Sequence, residues 1–395
     1  MNRAGGSTSD RAGLLTLAGG VALAALYAAS RAPFVALGYG LDDDAWLVAR
    51  AADLIASGDG YTASRFPGYP TVELLLGLLF RLFDPSCLVG NFAAAAAGLA
   101  AAVGVWACLK GAVPPPLRLL AALAAAFHPA MWTASVTALD PIFGAAFLVL
   151  AAAAAGRSRP ALAGLLLGLA VGCRLTHALA ALPIALFIRG RHGSWAPAVR
   201  LVAVGAAVGG ALFLLPLLTY GWDFLQYEPV RHRDFVTGGY KVYRELLGPG
   251  LVLACAAVAA AVLASGERRQ RLPAAAGEPL VLLGATAMLV LSAPFALLPT
   301  DPQYLLPWVP FAVLALAGLV RCEVVRPWWA AGLLLAAVLP AAVGLGELDL
   351  DAWRARRELR PVWLTAGHAA EHFRERSAQL ARAREAAAFP YQPHS

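Results

Sequence analysis

Apolar stretches of about twenty residues recur along most of this 395-residue chain. A helix of that length crosses the hydrocarbon core of a bilayer. Only 14% of the residues are charged and 60% are hydrophobic, whereas about 25% of a soluble domain is charged. The mean hydropathy is +0.67. The pattern predicts an all-α polytopic membrane protein. It excludes a disordered chain, a collagen-like fibre and a disulfide-stapled secreted module.

The net charge of +7 does not indicate a nucleic-acid partner, because the basic residues are scattered through short loops. Such residues set the orientation of membrane helices, since cytoplasmic loops are enriched in Lys and Arg. The five cysteines are isolated in or beside apolar runs, and no CxxC or Cys/His cluster exists. The sequence therefore supports neither a disulfide framework nor a zinc site.

We predict about eleven transmembrane helices within residues 1–346, followed by a polar, helix-prone tail at 347–395. The first is interpreted as a retained helix, because no small-residue cleavage site ends its apolar run. The predicted spans are 12–30, 88–109, 117–136, 141–156, 160–173, 175–189, 201–219, 248–265, 278–298, 303–320 and 327–346.

Segment 70–84 is apolar but about fifteen residues long, and it contains Glu73 and Arg81. A span needs about twenty residues, so we interpret this segment as an interfacial helix at the outer surface. The basic residues favour this interpretation, because it places their clusters inside. Those residues are Lys110, Arg118, Arg157, Arg159, Arg189, Arg191, Arg200, Arg268, Arg269, Arg271, Arg321 and Arg326.

With this threading, most of the unusual polar residues lie on the outer face. That face is formed by the first loop 31–69, the 128–140 turn, the 174–177 turn, the 220–247 loop and the 299–304 turn. The inner loops contain little besides Arg. Any catalytic or binding residues are therefore expected on the outer face.

Three consecutive acids, Asp42, Asp43 and Asp44, precede a segment with apolar residues at helical spacing. They are predicted to lie at a helix N-terminus, where the helix dipole favours an ionised carboxylate. Such a carboxylate can accept a proton from a hydroxyl group or help to hold a divalent cation. The alternative is N-capping, which needs a single Asp.

Two predicted spans, 160–173 and 175–189, are short and meet at a turn that contains Arg174 and His177. Fourteen helical residues rise only about 21 Å, so this turn is expected below the outer surface. A charge at that depth is costly and indicates a functional site. The alternative for Arg174 is snorkelling to the interface, and for His177 a structural hydrogen bond.

These elements together resemble the GT-C superfamily of membrane glycosyltransferases, which take a sugar from a polyprenyl-phosphate carrier. Protein O-mannosyltransferases and lipid A aminoarabinose transferases belong to it. The resemblance covers about residues 1–320. It rests on 43–47 (DDAWL), 57–61 (SGDGY), 68–70 (GYP), 127–140 (FHPAMWTASVTALD), 168–183 (GLAVGCRLTHALAALP) and 301–310 (DPQYLLPWVP).

The resemblance implies a GT-C-like bundle with interfacial helices in the first outer loop. It also assigns roles to particular residues. An acid of the first outer loop acts as base or metal contact at the reaction centre, which corresponds to Asp43, with Asp44 next. A basic residue at the 174–177 turn pairs with the carrier phosphate, which corresponds to Arg174. An acid of the second outer loop corresponds to Asp140, whose alternative is again an N-cap.

Further contacts to the carrier are predicted at His177 and Tyr304. Gln303 replaces an Arg that is common before this Tyr in the family, so Arg231, His232 and Arg233 are candidates to supply the contact. A divalent cation, Mg or Mn, is an open prediction, with Asp43 and Asp140 as its candidate ligands. His128 is expected to be a hydrogen-bonded residue at a helix end.

The sequence thus predicts an inverting glycosyltransferase of the bacterial inner membrane, with its active site on the outer face. The expected partners are a polyprenyl-phosphate-linked sugar, the lipid bilayer and an acceptor hydroxyl of a glycan, lipid or protein. Two other classes stay open. One is a transporter or flippase for a lipid-linked or anionic substrate. The other is a non-catalytic membrane protein of the same fold.

Overall fold

The computed structural model describes residues 6–36, 38–39, 43–225, 235–297, 299 and 302–343. These residues form α-helices and, within the described ranges, no strand. The helices are α1 (Gly6–Arg31), α2 (Asp43–Ser57), α3 (Pro70–Leu82), α4 (Cys87–Cys108), α5 (Pro115–Phe127), α6 (Pro129–Ala134), α7 (Asp140–Gly156), α8 (Pro160–Cys173), α9 (Ala181–His192), α10 (Ala196–Tyr220), α11 (Phe235–Val242), α12 (Gly248–Ala264), α13 (Gly266–Ala276), α14 (Pro279–Leu297), α15 (Trp308–Arg321) and α16 (Pro327–Val343).

Short tight turns connect several of these helices. Three are 3-10 turns, at Leu175–Ala180, Gly221–Leu225 and Pro302–Leu305, and one is a π-helical turn at Tyr243–Leu247. Many α-helices begin at or next to a proline, as α3 and α8 do. Proline suits the first helical turn because its fixed φ is already helical and its missing N–H would have no intrahelical partner there.

Four helical segments are long and apolar enough to cross a membrane: Cys87–Cys108, Ala196–Leu225, Pro279–Ala296 and Pro302–Arg321. The bent pair α12 and α13 would add a fifth. The prediction of about eleven spans is therefore not confirmed. Several of the predicted segments are helices of only 10–17 residues, namely Pro115–Phe127, Asp140–Gly156, Pro160–Cys173 and Pro327–Val338.

The predicted span 117–136 is wrong as a single helix, because the chain leaves the helical conformation at His128. This residue has φ −54° and ψ 132° and separates α5 from α6. Pro129 follows it, and a residue before proline is disfavoured in the α region by contact with the proline ring. Likewise, the predicted span 175–189 begins as a 3-10 turn and becomes α-helical only at Ala181.

The buried core is centred on α7, which packs against α4, α8 and α9. Its alanine-rich surface permits close approach of these neighbours. The α8–α10 contact also depends on small residues: a Cβ at Gly164 would lie 2.5 Å from the carbonyl oxygen of Leu201. The tight packing of α7 and α8 fixes their ends, where Asp140 and Arg174 lie.

The first predicted outer loop folds onto this core as a pair of helices. α2 and α3 pack against each other, and α3 also contacts α8. α3 begins at Pro70, as predicted for the segment 70–84, and ends two residues earlier, at Leu82. One face of the helix, with Val72, Leu76 and Phe80, is buried. The connection 58–69 between α2 and α3 is thereby held over the ends of α7 and α8.

Candidate functional site

Four charged side chains from separate parts of the chain form a continuous ion-pair chain. Asp44 lies in the first turn of α2, Arg65 in the connection before α3, Asp140 at the start of α7 and Arg174 directly after α8. Arg65 pairs with Asp44 through Nη1 and with Asp140 Oδ1 through Nη2, the latter at 2.9 Å. Arg174 Nε pairs with the other oxygen of Asp140, Oδ2. The signs alternate, so the chain is neutral as a whole.

Asp140 is the centre of this chain and is completely buried. An isolated carboxylate is costly to bury, but a pair with good hydrogen-bond geometry offsets much of the cost. Each oxygen of Asp140 accepts from a different guanidinium. The position in the first turn of α7 also favours the anion through the helix dipole. Asp140 thus orients two arginines, one through each of its oxygens.

Arg174 occupies the break between two helical segments, as the sequence predicts. Its backbone is extended, with φ −155° and ψ 125°, and its N–H still bonds to the carbonyl oxygen of Ala170, 3.1 Å away. The side chain is buried rather than directed to the surface. Its Cζ lies 4.2 Å from the ring centroid of Tyr304, within the range of a cation–π contact. Snorkelling therefore does not describe this residue.

A cavity of about 170 Å³ opens beside Arg174. Most of its wall is apolar or aromatic, which is typical of sites for small molecules and lipid segments. Among the residues of the wall that the structure describes, Arg174 is the charged one. The lining residues are Pro67, Tyr69, Arg174, Leu175, Thr176, Phe224, Leu225 and Tyr304.

Glu73 holds the connection that carries Arg65 in place through hydrogen bonds. This carboxylate is completely buried in the first turns of α3. Its Oε1 accepts from the backbone N–H and the hydroxyl of Ser64, both at 2.7 Å, and its Oε2 accepts from the Tyr61 hydroxyl at 2.6 Å. Because Ser64 precedes Arg65, Glu73 sets the position of the arginine.

Burial is the main influence on the pKa values of Glu73 and Tyr61. Desolvation raises the pKa of Glu73 above its ordinary value, although the bonds from Tyr61 and Ser64 oppose the shift. Desolvation and the neighbouring Glu73 carboxylate also raise the pKa of Tyr61. Tyr69 lies on the other side of Arg65, whose Cζ is 4.6 Å from the Tyr69 ring centroid. The position of Arg65 is therefore restrained both by the loop that Glu73 holds and by the Tyr69 ring.

Two buried histidines, His128 and His177, make hydrogen-bond contacts with the backbone of neighbouring segments. The buried His177 ring lies with Nδ1 3.0 Å from the carbonyl oxygen of Ala170 and packs against Gly144. His128 Nδ1 accepts from the N–H of Ala130 at 3.3 Å, which leaves Nε2 as the donor to the Leu246 carbonyl oxygen at 2.8 Å. His128 thus forms the hydrogen-bonded helix end that the sequence predicts. His177 lies near Arg174 but outside the cavity wall.

Other predicted site residues fall outside the described part of the chain. Asp43 is the first residue of α2, but its side chain is not among those described. Asp42, Arg231, His232, Arg233 and the tail 347–395 also lie outside the described residues. Gln303 lies on the same 3-10 turn as Tyr304.

The described residues do not fit a divalent cation at this site. Among them, no group of three or more His, Cys, Asp or Glu side chains could hold a metal ion. Both oxygens of Asp140 already accept from guanidinium groups. The two guanidinium charges beside these oxygens would also repel a Mg²⁺ or Mn²⁺ ion.

Sequence reasoning missed Arg65 and Glu73. A single charged residue in a loop, such as Arg65, has the same sequence signature whether it is solvated or paired. Glu73 served only as a sign that segment 70–84 does not span the membrane. The available signal was their position: Arg65 lies three residues before Gly68, the first residue of the GYP motif, and Glu73 interrupts an apolar helix.

Comparisons with known proteins identify no relative. No family model, no curated protein and no solved structure matches the chain.

Proposed function

We propose that this chain is a membrane glycosyltransferase of the GT-C type, which moves a sugar from a polyprenyl-phosphate carrier to an acceptor hydroxyl. One observation carries the proposal: a buried guanidinium, Arg174, held by Asp140, faces a largely apolar cavity. Such a wall suits a molecule with an anionic head and an apolar tail. Arginine is well adapted to phosphate because it can donate two parallel hydrogen bonds.

The connection of Arg174 to the first outer loop is the second support. A transferase needs a carboxylate close to the bound donor, and the ion-pair chain brings Asp44 to the same cluster. Asp43 is adjacent to Asp44 at the start of α2. A helix N-terminus stabilises negative charge at both positions. An acid from residues 43–44 and the cation at 174 are thus parts of one site.

The proposed reaction is a single displacement with inversion. The acceptor oxygen attacks the anomeric carbon and forms the new glycosidic bond, while the bond from that carbon to the phosphate oxygen breaks. The acceptor proton passes to a carboxylate, for which Asp43 is the candidate. Asp44 is engaged by Arg65 and positions this end of α2. The electron pair of the broken bond leaves with the carrier phosphate, whose charge Arg174 stabilises.

The proposed setting is a bacterial inner membrane, with the site on the outer face and a GT-C-like bundle of about eleven spans. The separation of the charges supports this orientation. A second group of arginines lies away from the Asp44–Arg174 chain. Arg268 contacts the Trp329 ring, Arg271 pairs with Glu323, and Arg321 pairs with Glu278. An excess of basic residues marks the cytoplasmic side.

The test is a transfer assay with purified full-length protein and radiolabelled polyprenyl-phosphate sugars. We expect wild type to release the unglycosylated carrier phosphate and Asp43→Asn to release none. The control is Asp53→Asn, whose side chain is exposed on the same helix, and it should release the carrier normally. Sugar movement across vesicles without release would indicate a transporter instead. Carrier binding with neither release nor movement would indicate a non-catalytic protein.

A further inference from the structure

At the other end of the bundle, α13 makes a sharp turn away from α12. The two helices are bent by 106° at a short break. If α12 crosses the membrane, α13 runs almost parallel to the membrane surface. One side of α13 packs on the protein, where Ala275 is buried and Leu272 contacts the core. The sequence of α13, GERRQRLPAAA, concentrates three arginines near its start.

Two of the arginines in this region are neutralised within the protein. Arg271 pairs with Glu267 at 2.6 Å and with Glu323. Arg321 pairs with Glu278 at 3.2 Å. These contacts leave no excess charge at Arg271 or Arg321.

Three other arginines have no such carboxylate within the part of the chain that the structure describes: Arg268, Arg269 and Arg326. Arg268 and Arg326 both lie over the ring of Trp329, with Cζ to centroid distances of 4.3 and 5.9 Å. Arg269 is exposed on α13. Arg268 and Arg326 therefore share one indole ring, and Arg269 adds an exposed positive charge next to Arg268 in the sequence of α13.

The surroundings of these arginines are apolar and exposed. Trp328 stacks edge-on against Trp329 and is 64% exposed. Leu263, in the last turn of α12, and Leu335, on α16, also expose their side chains. α12 and α16 pack side by side. Tryptophan is enriched at the level of lipid headgroups.

We propose that Arg268, Arg269, Arg326 and Trp329 form a binding site for an anionic glycerophospholipid. The arginines contact the headgroup phosphate, and the acyl chains lie along α12 and α16. A headgroup between membrane helices is a recognised partner of basic pockets. The exposed leucines favour a lipid over a soluble anion, because free phosphate would leave them without a partner. The site is independent of the proposed transferase function.

The experiment is a lipid titration of the purified full-length protein, followed by native mass spectrometry. Phosphatidylglycerol is compared with phosphatidylethanolamine of the same acyl chains. We expect the protein to bind phosphatidylglycerol in preference to phosphatidylethanolamine. Each of Arg268→Gln, Arg269→Gln and Arg326→Gln should raise the dissociation constant for phosphatidylglycerol about fivefold, which is the effect of one basic group near a charged membrane surface. The control Arg200→Gln removes an exposed charge elsewhere on the protein and should change binding less than twofold.

Two further measurements keep the proposal falsifiable. Arg269 is exposed, so Arg269→Gln tests the site without a risk to folding, and Arg268→Lys should retain part of the affinity. Millimolar inorganic phosphate should not displace the lipid. Equal binding of the two lipids, unchanged binding in all three glutamine variants, or displacement by phosphate would each overturn the proposal.

Discussion

Arg65 donates a hydrogen bond from Nη2 to Oδ1 of Asp140 at 2.9 Å, across 75 residues of sequence. Through this contact the connection between α2 and α3 is tied to the start of α7. Asp140 is fully buried, whereas 19% of the Arg65 side chain is exposed. The pair is therefore an inner link of the ion-pair chain, and Asp44 is the more exposed end of that chain. It also explains how Asp44, at the start of α2, is connected to the site of Arg174.

Replacing Arg65 tests this link. Arg65→Gln removes the cation between Asp44 and Asp140, and we expect it to lower the free energy of unfolding by about 1–3 kcal/mol. This is less than the about 3–5 kcal/mol of fully buried pairs, because solvent screens the exposed part of the side chain. Arg65→Lys should recover part of the loss.

Thermal unfolding of the detergent-solubilised protein measures this effect. Arg81→Gln is the matched control, since Arg81 is an exposed arginine on α3, and it should unfold like wild type. If Arg65→Gln were as stable as that control, the ion-pair chain would not contribute to the fold.

Glu73 makes the stability depend on pH in a defined direction. Its folded-state pKa is raised by burial above the ordinary value of 4.5. The unfolded chain therefore loses this proton first. The stability contributed by the protonated group is fully present below pH 4.5 and is lost as the pH rises through the folded pKa. Glu73→Gln, which cannot ionise, should lack this component.

The measurement is the difference in unfolding temperature between wild type and Glu73→Gln, from pH 4 to pH 8. We expect wild type to lose stability relative to the variant as the pH rises. Tyr61→Phe retains the carboxylate and should keep a pH dependence of the same sign. A constant difference across this range would contradict the raised pKa.

Gly144 is the position on α7 that accommodates His177. A Cβ there would lie 2.1 Å from His177 Cε1. We expect Gly144→Ala to destabilise the protein by about 1–3 kcal/mol, as overpacked cores do. The double variant Gly144→Ala/His177→Ala should regain much of that loss, because the clash is removed.

Gly210→Ala is the matched control, as nothing lies within 4 Å of its added methyl group. Chemical or thermal unfolding of the four proteins compares them directly. Equal stability of Gly144→Ala and Gly210→Ala would show that the His177 ring is not packed against α7.

Arg31 anchors the end of α1 to the bundle. Its guanidinium donates to Ser135 Oγ at 3.1 Å and to the Ala126 carbonyl oxygen, and it lies 3.8 Å from the ring centroid of Tyr27. Arg31→Lys keeps the charge but loses the planar stacking and one or more hydrogen bonds. We expect it to lower the free energy of unfolding by about 1–3 kcal/mol.

Thermal unfolding is again the measurement. Ser30→Ala, next to Arg31, removes a single hydrogen-bond acceptor from the same guanidinium and should cost less. A lysine variant as stable as wild type would mean that the contacts of residue 31 with Tyr27, Ser135 and Ala126 do not depend on guanidinium geometry.

The sequence indicated the helical membrane class and many of the element boundaries, because apolar runs and prolines act locally. It also located Arg174 in a break between short helices, and the structure brings this residue, Asp44, Asp140 and Tyr304 into one region. The length of each helix was harder to predict. The break at His128 depends on capping contacts with Ala130 and Leu246 as well as on Pro129.

Local patterns therefore determined which segments are apolar helices and which positions carry unusual charge. Only the tertiary structure decided how those charges are satisfied. Arg65 meets Asp140 across 75 residues, and Arg174 meets it across 34. A charge in a loop has the same sequence signature whether it is solvated or paired. Its partner is chosen by the packing of α3, α7 and α8, which no local pattern encodes.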